Sequence, residues 1–454
     1  MLRRNSMLMA ALIGLASVFV VSAASAETIT QALASTYSSN PEINSARAQT
    51  RADDENVPIA RSGYRPIVSA FSTVTGQTTD TALSGDKTTL DSAVGIQITQ
   101  DLFTGFRVKN AIRQSEAGVL ASRELLRNIV QNVLFDAAQA YMDVRRDIQI
   151  LDIRRRNVLF LEEQVRAANE RFNVGENTRT DVAQARARLA SARAAVSLAE
   201  ANLAISHATY RRVVGHEADR VSDGFPYARL VPSQLGQAIA AGQNAHPVIF
   251  ATIHQADAEA FLVKQIEGEL LPTVSVEGRL QHNESFDTSI DPNTASIIGR
   301  VTIPIYQGGA VSARVRQAKE RYGLRKIEID VARDQVRAAV VSAWAQAEAS
   351  RGAISAAREG VEAAEIALSG VQEEQRVGQR TTLDVLDAQQ ELLNARETLV
   401  IAERDLVVAN FALLSAMGRL DAEPLGLPVA AYHAEEHYRA VHDKWYGVRT
   451  PDGR

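Results

Sequence analysis

The chain of 454 residues has no cysteine, so it carries no disulfide, no thiolate metal ligand, no thiol nucleophile and no cysteine-borne lipid. Proline is scarce at 12 residues, and none falls within 108–215 or 311–418, so nothing there forces a helix to end. Basic side chains are in the minority, 49 Lys and Arg against 54 Asp and Glu. That balance gives no positive patch of the kind a nucleic acid partner requires. Apolar runs are short too. Only one, MLMAALIGLASVFVVSA, stands near the start, and it is brief for a membrane-spanning helix. No Gly-rich phosphate loop follows a strand, and no Ser/His/Asp set stands out, so neither a nucleotide cofactor nor hydrolytic chemistry is expected.

The apolar run follows Arg3 and Arg4 and ends in Ala24-Ser25-Ala26, which reads as a signal peptide over residues 1–26. Its removal leaves 47 basic against 54 acidic residues, a net charge of about −7.

What fills the remainder is one unit written twice. VGENTRTDVAQA (Val174–Ala185) returns as VGQRTTLDVLDA (Val377–Ala388), an offset of 203. Continued without gaps to Gly215 and Gly418, the alignment holds 13 identities in 42 positions. The same offset pairs LFTGFRVKNAIRQ (Leu102–Gln114) with IYQGGAVSARVRQ (Ile305–Gln317). The expected boundaries are 27–230 for the first copy, 231–420 for the second and a polar stretch over 421–454.

Each copy changes period in the same order. Short helical segments come first, from Ile29 and from Leu235. Two strands of alternating polarity follow, with Val94, Ile96, Ile98 and Leu102 on one side and Gln97, Thr99 and Asp101 on the other. A long helix then carries apolar residues seven apart: Val144, Leu151, Val158, Val165 and Phe172, matched by Ala347, Ile354, Val361, Leu368 and Gln375. A sustained seven-residue repeat means helices coiling on helices. Val108 to Phe172 predicts roughly 97 Å of helix, followed by an Ala-rich return helix of about 40 residues. Four amphipathic strands cannot close a barrel alone, and open edges cannot sit in lipid. The strands therefore form either a small soluble sheet or part of a barrel pooled from several chains.

At the turns between the long helices, Thr178-x-x-Asp181 and Thr381-x-x-Asp384 match capping boxes. Capping explains the recurring aspartate but not the asymmetry, since Phe172, Asn177 and Gln184 become Gln375, Arg380 and Asp387.

This layout, with LFTGF and IYQGG at the strand–helix junctions and FNVGENTRTDV and RVGQRTTLDVLDA at the tips, resembles the TolC family of outer-membrane efflux proteins. The resemblance implies a homotrimer whose twelve strands form one barrel in outer-membrane lipid, continued by a hollow helical cylinder with closed tips. It implies no chemistry and no cofactor. The expected partners are a periplasmic adaptor and an inner-membrane transporter of RND or ABC type. By the same resemblance, Asp384 and Asp387 form an acidic ring, and Thr180, Asp181, Gln375 and Arg380 form a periplasmic gate. Val174, Gly175, Val377 and Gly378 mark adaptor docking at the tips. Gln375 departs from the tyrosine of the best-known members. Asp384 and Asp387 share a helix face at i, i+3, so three-fold symmetry would gather six carboxylates. Such a ring selects cations, repulsion should raise its pKa values, and a divalent ion can block it; no resident metal is expected.

The competing reading is an exported coiled-coil structural or adhesion protein without a pore, which has no need for two strand pairs. HAEEH (His433–His437) fits an inverted zinc-protease pattern, but lacks a third ligand and a cleft, and reads as part of a solvated tail. Phe103, Phe106 and Tyr306 either form an aromatic belt at the membrane interface or pack the junctions.

Overall fold

A computed structural model describes residues 26–81, 85–218, 220–222, 224–285 and 293–453; residues 1–25 of the expected signal peptide lie outside them. In chain order the elements are α1 (Ile29–Ser39), α2 (Pro41–Asp54), α3 (Asn56–Arg61), β1 (Ile67–Thr81), β2 (Gly85–Phe103), α4 (Arg107–Asn173) and α5 (Arg179–Val214). The second set is α6 (Leu235–Ala245), α7 (Pro247–Glu267), β3 (Thr273–Ser285), β4 (Asn293–Thr302), α8 (Ala310–Arg376) and α9 (Thr382–Ala416). Two short helices follow, α10 (Ala422–Leu425) and α11 (Ala434–Val441). The fold is mainly helical with a small β part. Helices α4 and α8 are each 67 residues long, about 100 Å at 1.5 Å per residue. Both ends of α8 stand 203 residues beyond those of α4.

The four strands form one antiparallel sheet in the order β1-β2-β3-β4. Its register puts Val68 beside Ile98, Ile96 beside Leu280, and Gly278 beside Ile297 on one face. That face is exposed and apolar, as Val68, Ile96, Leu280 and Ile297 show. The opposite face carries Gln97, Arg279 and Glu277, with Arg279 donating to Gln97 at 2.9 Å and pairing with Glu277 at 3.5 Å. Alternation of this kind suits lipid outside and water inside. Among the described residues, β1 and β4 pair on one side only, so the sheet has two open edges.

Each passage from strand to long helix needs two successive residues in the left-handed region. Gly308 and Gly309 supply them in the second copy at φ 63° and 80°; Gly105 and Phe106 do so in the first at 61° and 63°. Phe106 is the one non-glycine residue at positive φ among the described residues. Its ring meets Phe103 edge to face at 5.1 Å, so these two aromatics pack the junction, whereas Tyr306 stands exposed. Gly105 also has no room for a side chain, because an added Cβ would lie 2.3 Å from the Gly268 carbonyl oxygen.

The core lies at the middle of the long helices. There Leu134, Tyr141, Val340, Phe411 and Leu414 are buried among α1, α6 and α7. Toward the tips only narrow apolar strips hold the helices together, Leu161 with Val182 and Leu386, and Leu368 with Val385 and Leu392. Among the described residues no helix is long and apolar enough to cross a membrane.

The stretch after residue 420 is not the solvated tail expected. Ala422, Leu425 and Leu427 enter the main core, and the Tyr432 amide donates to the Tyr37 hydroxyl at 3.1 Å. His437, from the HAEEH motif, bonds through Nδ1 to the fully buried Asp54 at 2.9 Å. Loss of water around Asp54 pushes its carboxyl pKa up, although the His437 hydrogen bond opposes the shift. Polar composition was misleading here because α11 is amphipathic, with His437 on Asp54 of α2 and Glu435 near Arg123 of α4.

Candidate functional site: the helical tips

Both tips are built by the same backbone chemistry. At the end of α4, the Glu176 amide donates to the Arg171 carbonyl (2.8 Å) and the Gly175 amide to that of Phe172 (3.1 Å). At the end of α8, Gln379 bonds Glu374 (2.9 Å) and Gly378 bonds Gln375 (3.0 Å) in the same way. This paired closure requires a left-handed residue, and Gly175 and Gly378 sit at φ 82° and 78°. Val174 and Val377, just before them, are largely exposed. The return helices then start on two matching capping boxes. The Asp181 carboxylate accepts from the Thr178 amide at 2.8 Å, and Asp384 from Thr381 at 2.8 Å. The hydroxyls of Thr178 and Thr381 in turn accept from the Asp181 and Asp384 amides at 3.3 Å.

The two turns meet in one crevice of about 750 Å³, lined by Asp181, Gln375, Arg380, Val377, Gly378 and Thr382 among others. Three of the four expected gate residues therefore share one space, although they come from copies 203 residues apart. Thr180 stands exposed on the first turn of α5. Within the chain, Arg380 does not pair with Asp181. Its Nε donates to Glu374 at 2.8 Å, and this bond holds the guanidinium more firmly protonated than usual. Gln375 donates to the Thr382 hydroxyl at 3.3 Å, tying the end of α8 to the start of α9. Glu374 was not singled out from the sequence, although its place six residues before Arg380, at the end of α8, was the available signal.

The two expected ring residues part company. Two hydrogen bonds from Thr381, backbone first and side chain second, pull the Asp384 pKa below the usual carboxylate range, helped by the nearby Arg380 charge. Within one chain this is the reverse of the expected rise, because stabilisation of the carboxylate by the cap acts at hydrogen-bond distance. Asp387 leaves the cap and pairs with Arg188 of α5 at 2.7 Å. That pair opens a polar seam between the two helical hairpins. Gln389 donates to Asn157 at 3.0 Å, and Arg154 grips Glu397 through two bonds of 2.7 and 3.2 Å. Spacing alone gave no sign of Arg188, since only the packing of α5 against α9 brings it near. Among the described residues no group of three His, Asp or Glu is placed to hold a metal.

A sequence model of the family described as outer membrane efflux protein matches residues 32–216 and 243–419. Outer membrane efflux protein BepC of Brucella suis biovar 1 (strain 1330) is 47% identical over 437 residues, covering 95% of this chain and 94% of its own. Outer membrane protein TolC of Escherichia coli (strain K12) is 24% identical over 433 residues, covering 91% and 87%. Among solved structures, the Campylobacter jejuni CmeC outer membrane channel superposes with a TM-score of 0.78 at 16% identity, over 91% of this chain and 89% of that one. The two curated relatives are outer membrane proteins and the solved structure is an outer membrane channel; the family is not one of enzymes, and it places this chain in the outer membrane. With its sheet apolar on one face, its paired 67-residue helices and its match across both copies, the chain belongs to the outer membrane efflux protein family.

Proposed function

We propose that the protein is the exit duct of a tripartite efflux or type I secretion system, closed at rest at its helical tips. Three chains pool their sheets into a twelve-stranded barrel, which removes the open edges of β1 and β4 that lipid would not tolerate. The long helices continue as a conduit toward a periplasmic adaptor and an inner-membrane transporter of RND or ABC type, with docking beside Gly175 and Gly378. The observation that carries the gate is the crevice in which Asp181, Gln375 and Arg380 meet. Arg380, already on Glu374, lines the same crevice as Asp181, a carboxylate on the other hairpin. A charged hydrogen bond there holds the tips with about 1.5–3 kcal/mol, enough to keep them shut yet weak enough for partners that bind the open state to release them. Asp384 and Asp387 then present a cation-selective ring to the axis, and opening frees Asp387 from Arg188.

The test is single-channel conductance of the purified protein in a planar bilayer. Arg380→Ala should raise open probability by about ten- to a hundred-fold, which is the loss of one such bond. Asp181→Asn reproducing that rise places the latch between hairpins, whereas Glu374→Gln alone reproducing it confines the latch to α8. Millimolar divalent cation should block the wild type and spare Asp384→Ala/Asp387→Ala. A folded protein with no conductance in any variant would reject the duct.

A further inference from the structure

The stretch that follows α11 does something the duct does not use. It passes Arg61 of α3 and reaches Arg65 at the rim where strands become helices. That level is fixed by two contacts, Ile67 of β1 pairing with Thr99 of β2 and Gln100 donating to the Tyr64 carbonyl at 3.0 Å, and by the start of α4 at Arg107, just beyond β2. Arg65, two residues before β1, ties the stretch down there. Its guanidinium donates to the carbonyls of Lys444 (2.6 Å) and Asp443 (3.4 Å) and lies 4.8 Å from the centre of the Trp445 ring. Arg61 holds the Asp443 carboxylate as an ion pair.

A segment fixed this firmly would be expected to bury its large apolar groups. Instead Trp445 is 68% exposed, Tyr446 91% and Val448 100%. Three cations, Arg65, Lys444 and Arg449, accompany them. Two of these are committed to backbone carbonyls through Arg65–Lys444 and Lys444–Arg449 contacts, which leave their charge uncompensated. The acidic groups close by are Asp443, already engaged by Arg61 and His442, and Asp452. Tryptophan and tyrosine settle at the boundary between hydrocarbon and water, and arginine and lysine extend from that depth to phosphate. The patch also continues the exposed apolar start of β1, Ile67 and Val68.

We propose that residues 443–449 form an interfacial anchor, with Trp445, Tyr446 and Val448 seated in the leaflet on the helical side of the sheet. Arg65, Lys444 and Arg449 meet the phosphates of its phospholipid headgroups. The anchor fixes the depth and tilt of the rim, a role no cysteine-borne lipid can fill in this sequence. It depends on the sheet lying in the outer membrane but not on the gate, so failure of either leaves the other standing.

The chain has two tryptophans, and Trp344→Phe makes Trp445 the single emitter. The full-length variant is reconstituted into phosphatidylethanolamine/phosphatidylglycerol vesicles with acyl chains brominated either near the headgroup or near the bilayer centre. Bromine near the headgroup should remove most of the Trp445 emission, and bromine at the centre should remove little. Emission insensitive to bromine but quenched by aqueous iodide would overturn the anchor in favour of a solvated end. Emission insensitive to both would overturn it in favour of burial against a neighbouring chain. Should Trp344→Phe fail to fold, the difference between wild type and Trp445→Phe reads the same site.

Discussion

The two helical tips are the most instructive pair of regions in the molecule. Their backbones are interchangeable, with a left-handed glycine, two closing hydrogen bonds and a Thr/Asp capping box, each within about a tenth of an ångström of its counterpart. Their side chains are not. Phe172 corresponds to Gln375, Asn177 to Arg380, and Gln184 to Asp387. Duplication has kept the groups a sharp helix-to-helix turn cannot do without and let the rest drift. In the second copy the drift is toward polarity, with Gln375 on Thr382, Arg380 on Glu374 and Asp387 on Arg188. What the copies share is folding; what separates them is where function is to be sought.

The comparison breaks hardest at the junctions. Gly105→Ala forces a Cβ to 2.3 Å from the Gly268 carbonyl oxygen and adds left-handed strain, whereas Gly308→Ala has open space around it and meets the strain alone. We expect losses of about 3 kcal/mol and about 1 kcal/mol respectively, measured by urea unfolding in detergent. Equal losses would mean the Gly105–Gly268 contact is not held in the assembled protein. Next come the caps. Thr178→Ala and Thr381→Ala should each cost about 1 kcal/mol, read as faster amide exchange in the first turns of α5 and α9. A larger effect at Thr381 would show that its cap also supports the gate. Because the Asp384 pKa is lowered by folding, its contribution is complete above the unfolded carboxylate pKa and is lost as pH falls below about 4. Exchange at the start of α9 should rise over that interval. The smallest effect is at Asp387. Its pair with Arg188 is half exposed and worth about 0–1 kcal/mol, so Arg188→Gln should leave unfolding unchanged while strengthening divalent block by freeing the carboxylate. A stability loss well above that range would make the pair a structural clamp.

Much of this was legible because it rests on local rules. Thr178-x-x-Asp181 spells a capping box before any coordinate is seen, and the seven-residue spacing of Val144, Leu151 and Val158 spells a coiled helix. The stretch after residue 420 was misread because its apolar residues are few and widely spaced. Ala422, Leu425 and Leu427 have no period of their own and are buried only because the main core offers them a surface.

The sequence by itself determined the duplication, read from the repeated motifs, and the element order, the tip turns and the alternation of each strand, which follow from residues a few positions apart. Tertiary structure alone decided that Arg188 claims Asp387, that Asn157 meets Gln389 and that His437 reaches Asp54. The physical reason is distance along the chain. Asp387 lies 199 residues from Arg188 and His437 383 from Asp54, and no local preference records which helices will lie side by side.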